Sequence, residues 1–191
     1  MPNILAFAGS TRKESFNRKL VGIAAEGARS VGADVSLIEL AEYPMPLFDQ
    51  DLEAREGMPK TAHDLKQLFI EHDGLLIASP EYNSAVTPLM KNTLDWVSRR
   101  ETDDEPSLAA YQGKVAVIMS ASPGRLGGIR GLVFLRMLLA NLGIVVLPEQ
   151  QAIAEAAKAF NNDGLLVNTD QQNSVMQLGV KLAQTLEKLN Q

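Results

Sequence analysis

The sequence predicts an α/β protein in which one parallel β-sheet lies between two layers of helices, a three-layer sandwich. Short runs rich in Val, Ile and Leu recur without clean alternation, which is typical of strands buried on both faces of a parallel sheet. Amphipathic helical patterns lie between these runs, and such an alternation indicates right-handed crossover connections. The chain has 191 residues, a common size for one such sheet, so a single domain over residues 1–191 is expected.

The predicted elements follow one another in a regular order. The strands, all short and aliphatic, are Asn3–Ala8, Asp34–Leu40, Gly74–Ser79, Lys114–Ser120 and Gly143–Leu147. The helices, each with apolar residues spaced along one face, are Phe16–Val31, Pro59–His72, Thr87–Arg99, Gly128–Leu142 and Ser174–Leu189. Pro59 is tolerated because it falls in the first turn of its helix.

Two segments do not fit this alternation. Tyr43–Gly57 is rich in proline and acidic residues and is expected to be an exposed loop. Gln150–Asp163 is expected to be an extended excursion or a short helix. The charged residues in these segments and in Glu101–Glu105 are expected to form solvated surface.

The composition excludes several classes of protein. The chain has 18 Lys and Arg residues against 23 Asp and Glu residues, a net charge of −5, whereas a nucleic-acid-binding protein needs a basic face. The absence of cysteine excludes disulfides, thiolate catalysis and cysteine metal sites, and it is typical of a reducing cytoplasm. No apolar run approaches the roughly 18 residues of a membrane span. Met1–Ala8 lacks the basic region of a secretion signal, so a cytoplasmic location is expected.

Functional residues are expected in the loops after the first, third and fourth strands, because ligands of open α/β sheets bind beyond the carboxyl ends of the strands. The first loop, Gly9–Asn17, is neither a Walker loop nor a GxGxxG motif. It offers hydroxyls, the guanidinium of Arg12 and the free N–H groups of a helix start, a set that suits a phosphate monoester. On these residues alone a second interpretation stands equally, in which Ser15 merely caps the helix and Ser10 and Thr11 form a turn.

The other two loops add an aromatic side chain and glycines. Ser79–Ala85 must lie at the mouth of the sheet, where its N–H groups can bind a flat heterocycle beside the ring of Tyr82. Ser120–Gly128 contains three glycines and two serines, which allow close approach of the backbone to a ligand. Each loop could also be an ordinary turn, but three of them at one edge of a sheet favour a binding site.

Three motifs in these loops carry a resemblance to a known family. They are GSTRKESFNRKL after the first strand, PEYNSAVTPLMKNTLDW after the third and SASPGRLGG after the fourth. Together they resemble the NADPH-dependent FMN reductase family of flavodoxin-like quinone, azo and chromate reductases, from Asn3 to about Leu147. The resemblance implies a flavodoxin-like, five-stranded parallel sheet in the order 2-1-3-4-5, with FMN bound without a covalent link.

The resemblance also implies which residues bind FMN. The family's phosphate positions are matched by Ser10, Arg12, Ser15 and Asn17, with Phe16 beside them. The loop that holds the isoalloxazine ring is matched by Pro80, Glu81, Tyr82 and Asn83. The loop on the other side of the ring contains Ser120, Gly124, Gly127 and Gly128. In that last loop, Pro123 and Arg125 stand at positions that vary among relatives.

The activity implied is that of an NAD(P)H-dependent reductase, with NADPH or NADH as co-substrate. Hydride would pass through flavin N5 to a small-molecule acceptor, which is a flavin, a quinone, an azo compound or a metal oxyanion. No catalytic side chain or metal is then required, and the two histidines, His63 and His72, lie on or near a helix remote from the three loops. Zinc-binding motifs are absent from the sequence.

Two other interpretations remain at this point. One is a flavodoxin-like electron carrier or flavin-binding module without NAD(P)H activity, although carriers usually hold the phosphate with a loop that lacks an arginine such as Arg12. The other is a hydrolase or ligand-regulated domain of the same architecture, which the absence of a GxSxG motif disfavours.

The helix predicted at Gly128–Leu142 indicates self-association. From Ile129 to Ala140 it is apolar nearly all round, whereas a helix on a sheet needs only one apolar face. An exposed apolar patch usually marks an interface, and relatives form dimers or tetramers. A homodimer or homotetramer with the flavin near the subunit boundary is therefore expected. In the helix predicted at Thr87–Arg99, Asp95 and Trp96 are expected to serve structure or subunit contact. The alternative is that Gln150–Asp163 covers this helix.

Overall fold

The computed structural model describes residues 1–189 and contains a five-stranded sheet in the order β2-β1-β3-β4-β5. All neighbouring strands are parallel. The strands are β1 (Asn3–Ala8), β2 (Asp34–Ile38), β3 (Gly74–Ala78), β4 (Val115–Ala121) and β5 (Val145–Ile153). The predicted fold class and strand order are confirmed.

Helices cover both faces of the sheet. They are α1 (Phe16–Arg29), α2 (Gln50–Glu56), α3 (Lys60–Glu71), α4 (Pro88–Val97), α5 (Ile129–Asn141), α6 (Ala156–Ala159) and α7 (Thr169–Leu189). One hydrophobic cluster joins α1 and α7 to one face, and a second joins α3, α4 and α5 to the other. Every residue of β3 and β4 is buried because both faces of the central strands are covered. None of the helices described combines the length and hydropathy needed to cross a membrane.

The prediction that Tyr43–Gly57 is only an exposed loop is wrong, because the segment contains α2. This helix buries none of its residues, so no apolar periodicity reveals it. The feature of the sequence that indicates this helix is its N-cap residue. The carboxylate of Asp49 accepts hydrogen bonds from the amides of Asp51 (2.8 Å) and Leu52 (3.1 Å) and caps the helix.

The chain before α2 is held by α4. The carbonyl of Pro46 accepts hydrogen bonds from the side chains of Asn92 (2.9 Å) and Trp96 (2.8 Å). The amide of Phe48 donates to Asn92 at 2.8 Å, and the ring of Phe48 packs edge-on against Trp96. Asn92 and Trp96 of the sequence motif therefore anchor a loop, and the structural role expected of Trp96 is confirmed.

The segment Gln150–Asp163 combines both predicted possibilities. The last strand continues well beyond the predicted Leu147 to Ile153, and the short helix α6 follows it. A bulge hides the strand in the sequence, because Val146 pairs with Ala116 whereas Gln150 pairs with Ile118. The helix α7 also begins earlier than predicted, at Thr169, and the other predicted elements end within two residues of their observed bounds.

The crossing of α1 and α7 is unusually close. A Cβ atom on Gly27 would overlap the backbone carbonyl of Met176, and one on Gly179 would overlap that of Ala24. Both obstacles are backbone atoms that a side-chain rotation cannot move. The crossing matters for function because the first turn of α1 follows the first loop directly.

Replacing Gly27 by Ala is expected to lower the free energy of unfolding by about 1–3 kcal/mol through overpacking. The matched control is Gly22→Ala in the same helix, where the added Cβ meets no atom within 4 Å. That control should be neutral or stabilising by about 0.5–1 kcal/mol, because alanine favours the helix. Denaturant unfolding measures both, and equal shifts of the two midpoints would contradict the close crossing.

Candidate functional site

The loops after β1, β3 and β4 meet at the carboxyl edge of the sheet and enclose a cavity of about 230 Å³. The residues that line it are Ser10, Arg12, Ser15, Phe16, Asn17, Pro80, Glu81, Tyr82, Ala121, Ser122 and Pro123. The structure therefore brings together every residue predicted in the first loop and all but Asn83 in the third. Strands that run in parallel and end together explain why residues so distant in sequence converge.

Hydrogen bonds to the backbone hold these loops in place. The side-chain amide of Asn17 donates to the carbonyl of Ala121 (2.8 Å) and accepts from its N–H (2.9 Å), so it joins the first loop to the fourth. Gly9 donates to Ala78 at 2.8 Å, and the hydroxyl of Thr87, which caps α4, donates to the carbonyl of Gly9 at 2.8 Å. The walls of the cavity are thus fixed by the protein itself.

Arg12 stands over one end of the cavity without a carboxylate partner. Its guanidinium lies 5.1 Å from the centre of the Phe16 ring, a cation–π contact, and it forms no ion pair within residues 1–189. Phe16 in turn stacks on Phe160, with ring centroids 5.7 Å apart. Sequence reasoning missed Phe160, because it lies in the segment that fits no periodic pattern. The guanidinium N–H groups of Arg12 therefore stay available to an anion.

Two serines of the first loop, Ser10 and Ser15, line the cavity together with Arg12. Ser15 occupies the N-cap position of α1 and is 2% exposed, but its side chain makes no capping hydrogen bond. The interpretation of Ser15 as a mere cap is therefore wrong. The hydroxyl of Ser10 accepts a hydrogen bond from the amide of Arg12 at 3.3 Å. Two hydroxyls, a cation without an ion-pair partner and the N-terminus of α1 thus belong to one stretch of the cavity wall.

The third loop presents an aromatic side chain at the mouth of the cavity. Tyr82 and Ala85 exchange two backbone hydrogen bonds, each 3.0 Å long, and close a tight turn. Its central residues, Asn83 and Ser84, both have positive φ angles, of 51° and 68°, which non-glycine residues seldom adopt. Asn83 lies in this turn rather than in the cavity wall. The side chain of Tyr82 is 56% exposed, so its ring is accessible to a flat ligand.

Glu81 lines the cavity, but its carboxylate is already bonded. One oxygen accepts from Nε (2.9 Å) and Nη2 (2.5 Å) of Arg130, and the other accepts from the amide of Gly131 (3.1 Å). Burial by itself would raise the pKa of Glu81, but the hydrogen bonds from Gly131 and Arg130 outweigh it and hold that pKa below its ordinary value. Glu81 is therefore an ionised acceptor at neutral pH and not a proton donor.

The fourth loop differs from its prediction. Four residues expected to approach the ligand do not line the cavity; they are Ser120, Gly124, Gly127 and Gly128. A Cβ on Gly128 would overlap the hydroxyl of Ser120, and one on Gly127 would lie 2.8 Å from the carbonyl carbon of Ala152. Gly127, with a φ of 62°, and Gly128, with a φ of 92°, are thus needed for packing against the protein's own strands.

The cavity wall is formed instead by the residues next in sequence, Ala121, Ser122 and Pro123. The displacement arises because β4 continues to Ala121, one residue beyond its predicted end. Ser122 is fixed by the end of β5, since its amide donates to the carbonyl of Ile153 at 3.0 Å.

The two histidines lie outside the cavity wall. His63 pairs with Glu101 at 2.5 Å, and His72 contacts the carbonyl of Leu68 (2.6 Å) and the hydroxyl of Ser36 (2.8 Å). His72 is buried. Within residues 1–189 no cluster of His, Asp and Glu side chains is arranged to hold a metal ion.

A larger groove of about 640 Å³ runs between β5 and α7, away from the three loops. Half of the residues that line it carry side-chain amides, among them Gln150, Gln151 and Gln177. The smaller cavity is the better candidate because charged, hydroxyl and aromatic groups converge there at the edge where α/β sheets bind ligands. Its volume is below the roughly 300–1,000 Å³ of pockets that enclose a whole ligand, so part of a ligand must lie at the mouth.

Comparison with known proteins agrees with this geometry. The sequence model of the NADPH-dependent FMN reductase family matches residues 2–159. An NAD(P)H-dependent FMN reductase of Pseudomonas aeruginosa is 31% identical over 179 residues, which cover 91% of this chain and 89% of that protein. A quinone reductase of Escherichia coli is 35% identical over 148 residues, which cover 75% of this chain and 72% of that protein.

A solved structure extends the similarity to the fold. The flavoenzyme NAD(P)H:(acceptor) oxidoreductase FerB from Paracoccus denitrificans superposes with a TM-score of 0.81 and 25% identity, covering 98% of each chain. The sequence match includes all three loops that form the cavity. The chain therefore belongs to the NADPH-dependent FMN reductase family.

Proposed function

We propose that this chain is a quinone reductase that draws hydride from NADPH or NADH, with its FMN bound in the cavity of the three loops. Membership of the family makes it an NAD(P)H-dependent FMN reductase, so the electron carrier without NAD(P)H activity is not supported. The observation that carries the proposal is the polarity of the cavity. The first loop contributes an arginine without an ion-pair partner and two serines to its wall, and the third loop contributes an exposed tyrosine.

These residues fit FMN. The guanidinium of Arg12 and the hydroxyls of Ser10 and Ser15 would hold the phosphate, while Tyr82 and the backbone of its turn would flank the isoalloxazine ring. The chemistry that FMN supplies when bound is hydride transfer through N5, from the nicotinamide to an acceptor.

The chain's own contribution is to bind and orient. No histidine reaches the cavity wall, and the carboxylate of Glu81 is ionised and bonded to Arg130 and Gly131. A two-electron acceptor that needs little help with protons, such as a quinone, suits a site of this kind. Free flavin, azo compounds and metal oxyanions are the other acceptors that an open mouth would admit. Because donor and acceptor need the same ring face, we propose that they bind in turn.

The proposal also covers the extent and location of the domain. We infer one domain over residues 1–191, supported by α7, which lies beyond the family match at residue 159 but packs on the same core as α1. A cytoplasmic location belongs to the proposal because the sequence contains no cysteine.

Steady-state turnover tests the proposed activity. FMN-loaded protein should oxidise NADPH or NADH with a simple benzoquinone and no partner protein, and double-reciprocal plots at several quinone concentrations should be parallel. The same assay with riboflavin, an azo dye and chromate ranks the other acceptors. Tight binding of FMN without NAD(P)H oxidation would instead identify a carrier.

Arg12→Ala should weaken FMN binding roughly ten- to a hundredfold and leave riboflavin binding nearly unchanged, because a charge-assisted phosphate contact is lost. Titration of the apoprotein with each flavin gives both dissociation constants. Lys13→Ala is the control, since this neighbouring cation lies outside the cavity wall and should leave both constants near those of the unmodified protein. Equal losses for the two flavins in Arg12→Ala would show that Arg12 does not bind the phosphate.

We also propose that copies of this chain associate through α5. Leu132, Leu135 and Leu139 pack against the sheet, but Val133 is 66% and Met137 53% exposed on the outer side of the helix. The alternative expectation from the sequence is that the segment Gln150–Asp163 covers this helix. In the single chain, however, that segment leaves the outer face of α5 exposed. A homodimer or homotetramer would bury this face of α5. The first turn of α5 also adjoins Glu81, which lies in the cavity wall.

Sedimentation of the FMN-loaded protein should give a mass at least twice 20.7 kDa. Phe134→Asp should dissociate this assembly and lower turnover, because a charge would enter the buried interface. Val167→Asp, at an exposed apolar side chain far along the chain from α5, should change neither. A fully active monomer would refute the interface.

A further inference from the structure

The turn after β3 adopts a backbone conformation that is uncommon for residues other than glycine. Asn83 and Ser84 are both in the left-handed region, and neither is glycine. Such conformations persist only where the surrounding structure determines them. The two hydrogen bonds between Tyr82 and Ala85 close the turn but do not fix its orientation toward the cavity.

The neighbour that can fix this orientation is the first turn of α5. Its N-cap residue, Gly128, has no side chain, so α5 offers no acceptor of its own to the amide of Gly131. The carboxylate of Glu81 accepts from that amide at 3.1 Å, across a gap of 50 residues in sequence. A negative charge is also favourable at the N-terminus of a helix.

The contact between the turn and α5 is also close. A Cβ on Gly131 would lie 3.1 Å from the Cβ of Glu81 and 3.3 Å from the carbonyl oxygen of Ala85. The helix therefore touches both ends of the turn, and glycine at 131 permits that approach.

From these contacts we propose that Glu81 is a positioning residue, whose carboxylate caps α5 and so sets the turn Tyr82–Ala85 against the cavity. This inference rests on the proposed function, because the turn is where the isoalloxazine ring would lie. The side chain of Glu81 then acts on the cofactor only through the backbone that follows it, not as a ligand.

The two donors to Glu81 contribute unequally. The side chain of Arg130 is 58% exposed, so solvent screens its ion pair, whereas that of Glu81 is 8% exposed. The bond to the Gly131 amide is inside the contact between turn and helix. Removing Glu81 therefore loosens the turn, and removing Arg130 has a smaller effect.

Amide hydrogen exchange of the full chain without FMN tests this directly. In Glu81→Ala, exchange should accelerate at least severalfold in Tyr82–Ala85 and in the first turn of α5, while α1 and α7 keep their protection. Arg130→Ala, the control, should change these segments less. Unaltered exchange of the turn in Glu81→Ala, or equal acceleration in both variants, would overturn the assignment.

Flavin titration separates this inference from the proposed function. Glu81→Ala should weaken FMN and riboflavin by the same factor, about tenfold, because it disturbs the ring end and not the phosphate end. It should also shift the visible absorption of bound FMN. A loss confined to FMN would overturn the assignment.

Absence of flavin binding by the unmodified protein would refute the proposed function, whereas the exchange result on Glu81 would stand. Glu81→Met, which keeps much of the bulk of the side chain but offers the Gly131 amide no oxygen acceptor, replaces Glu81→Ala if the latter fails to fold.

Discussion

The site depends first on the pairing of Asn17 with Ala121. These two hydrogen bonds join residues 104 positions apart and lie in the interior, where each partner would otherwise be left unsatisfied. They fix the distance between the start of α1 and the end of β4, which are the two sides of the cavity. A cavity whose width is set by internal bonds is formed before any ligand arrives, so little ordering is required on binding.

The two charged groups of the cavity wall, Glu81 and Arg12, differ in the partners that hold them. Glu81 is bonded to a guanidinium and an amide, which leaves it a structural anion. Arg12 is steadied by the ring of Phe16, which restrains the cation without neutralising it. A guanidinium of this kind stays free for an anionic ligand although the chain as a whole is acidic, with a net charge of −5.

Features that follow from local pattern were predictable, and features that depend on distant contacts were not. The strands could be found because β3 and β4 are rich in aliphatic residues, and the first-loop residues could be found because they follow a strand directly. The helix α2 was missed since it buries nothing, and Phe160 was missed since only its stacking on Phe16 gives it a role. The packing role of Gly127 and Gly128 could not be predicted, because glycines that accommodate the protein's own strands look, in sequence, like glycines that accommodate a ligand.

The bulge in β5 has a consequence for how copies of the chain can meet. β5 is an edge strand, and an open edge invites another strand to pair with it. Here Pro148 has no N–H to offer, and the guanidinium of Arg136 occupies the carbonyls of Val146 (3.1 Å) and Leu147 (2.8 Å). The middle of this edge cannot template a neighbouring strand, so the sheet resists open-ended growth along β5.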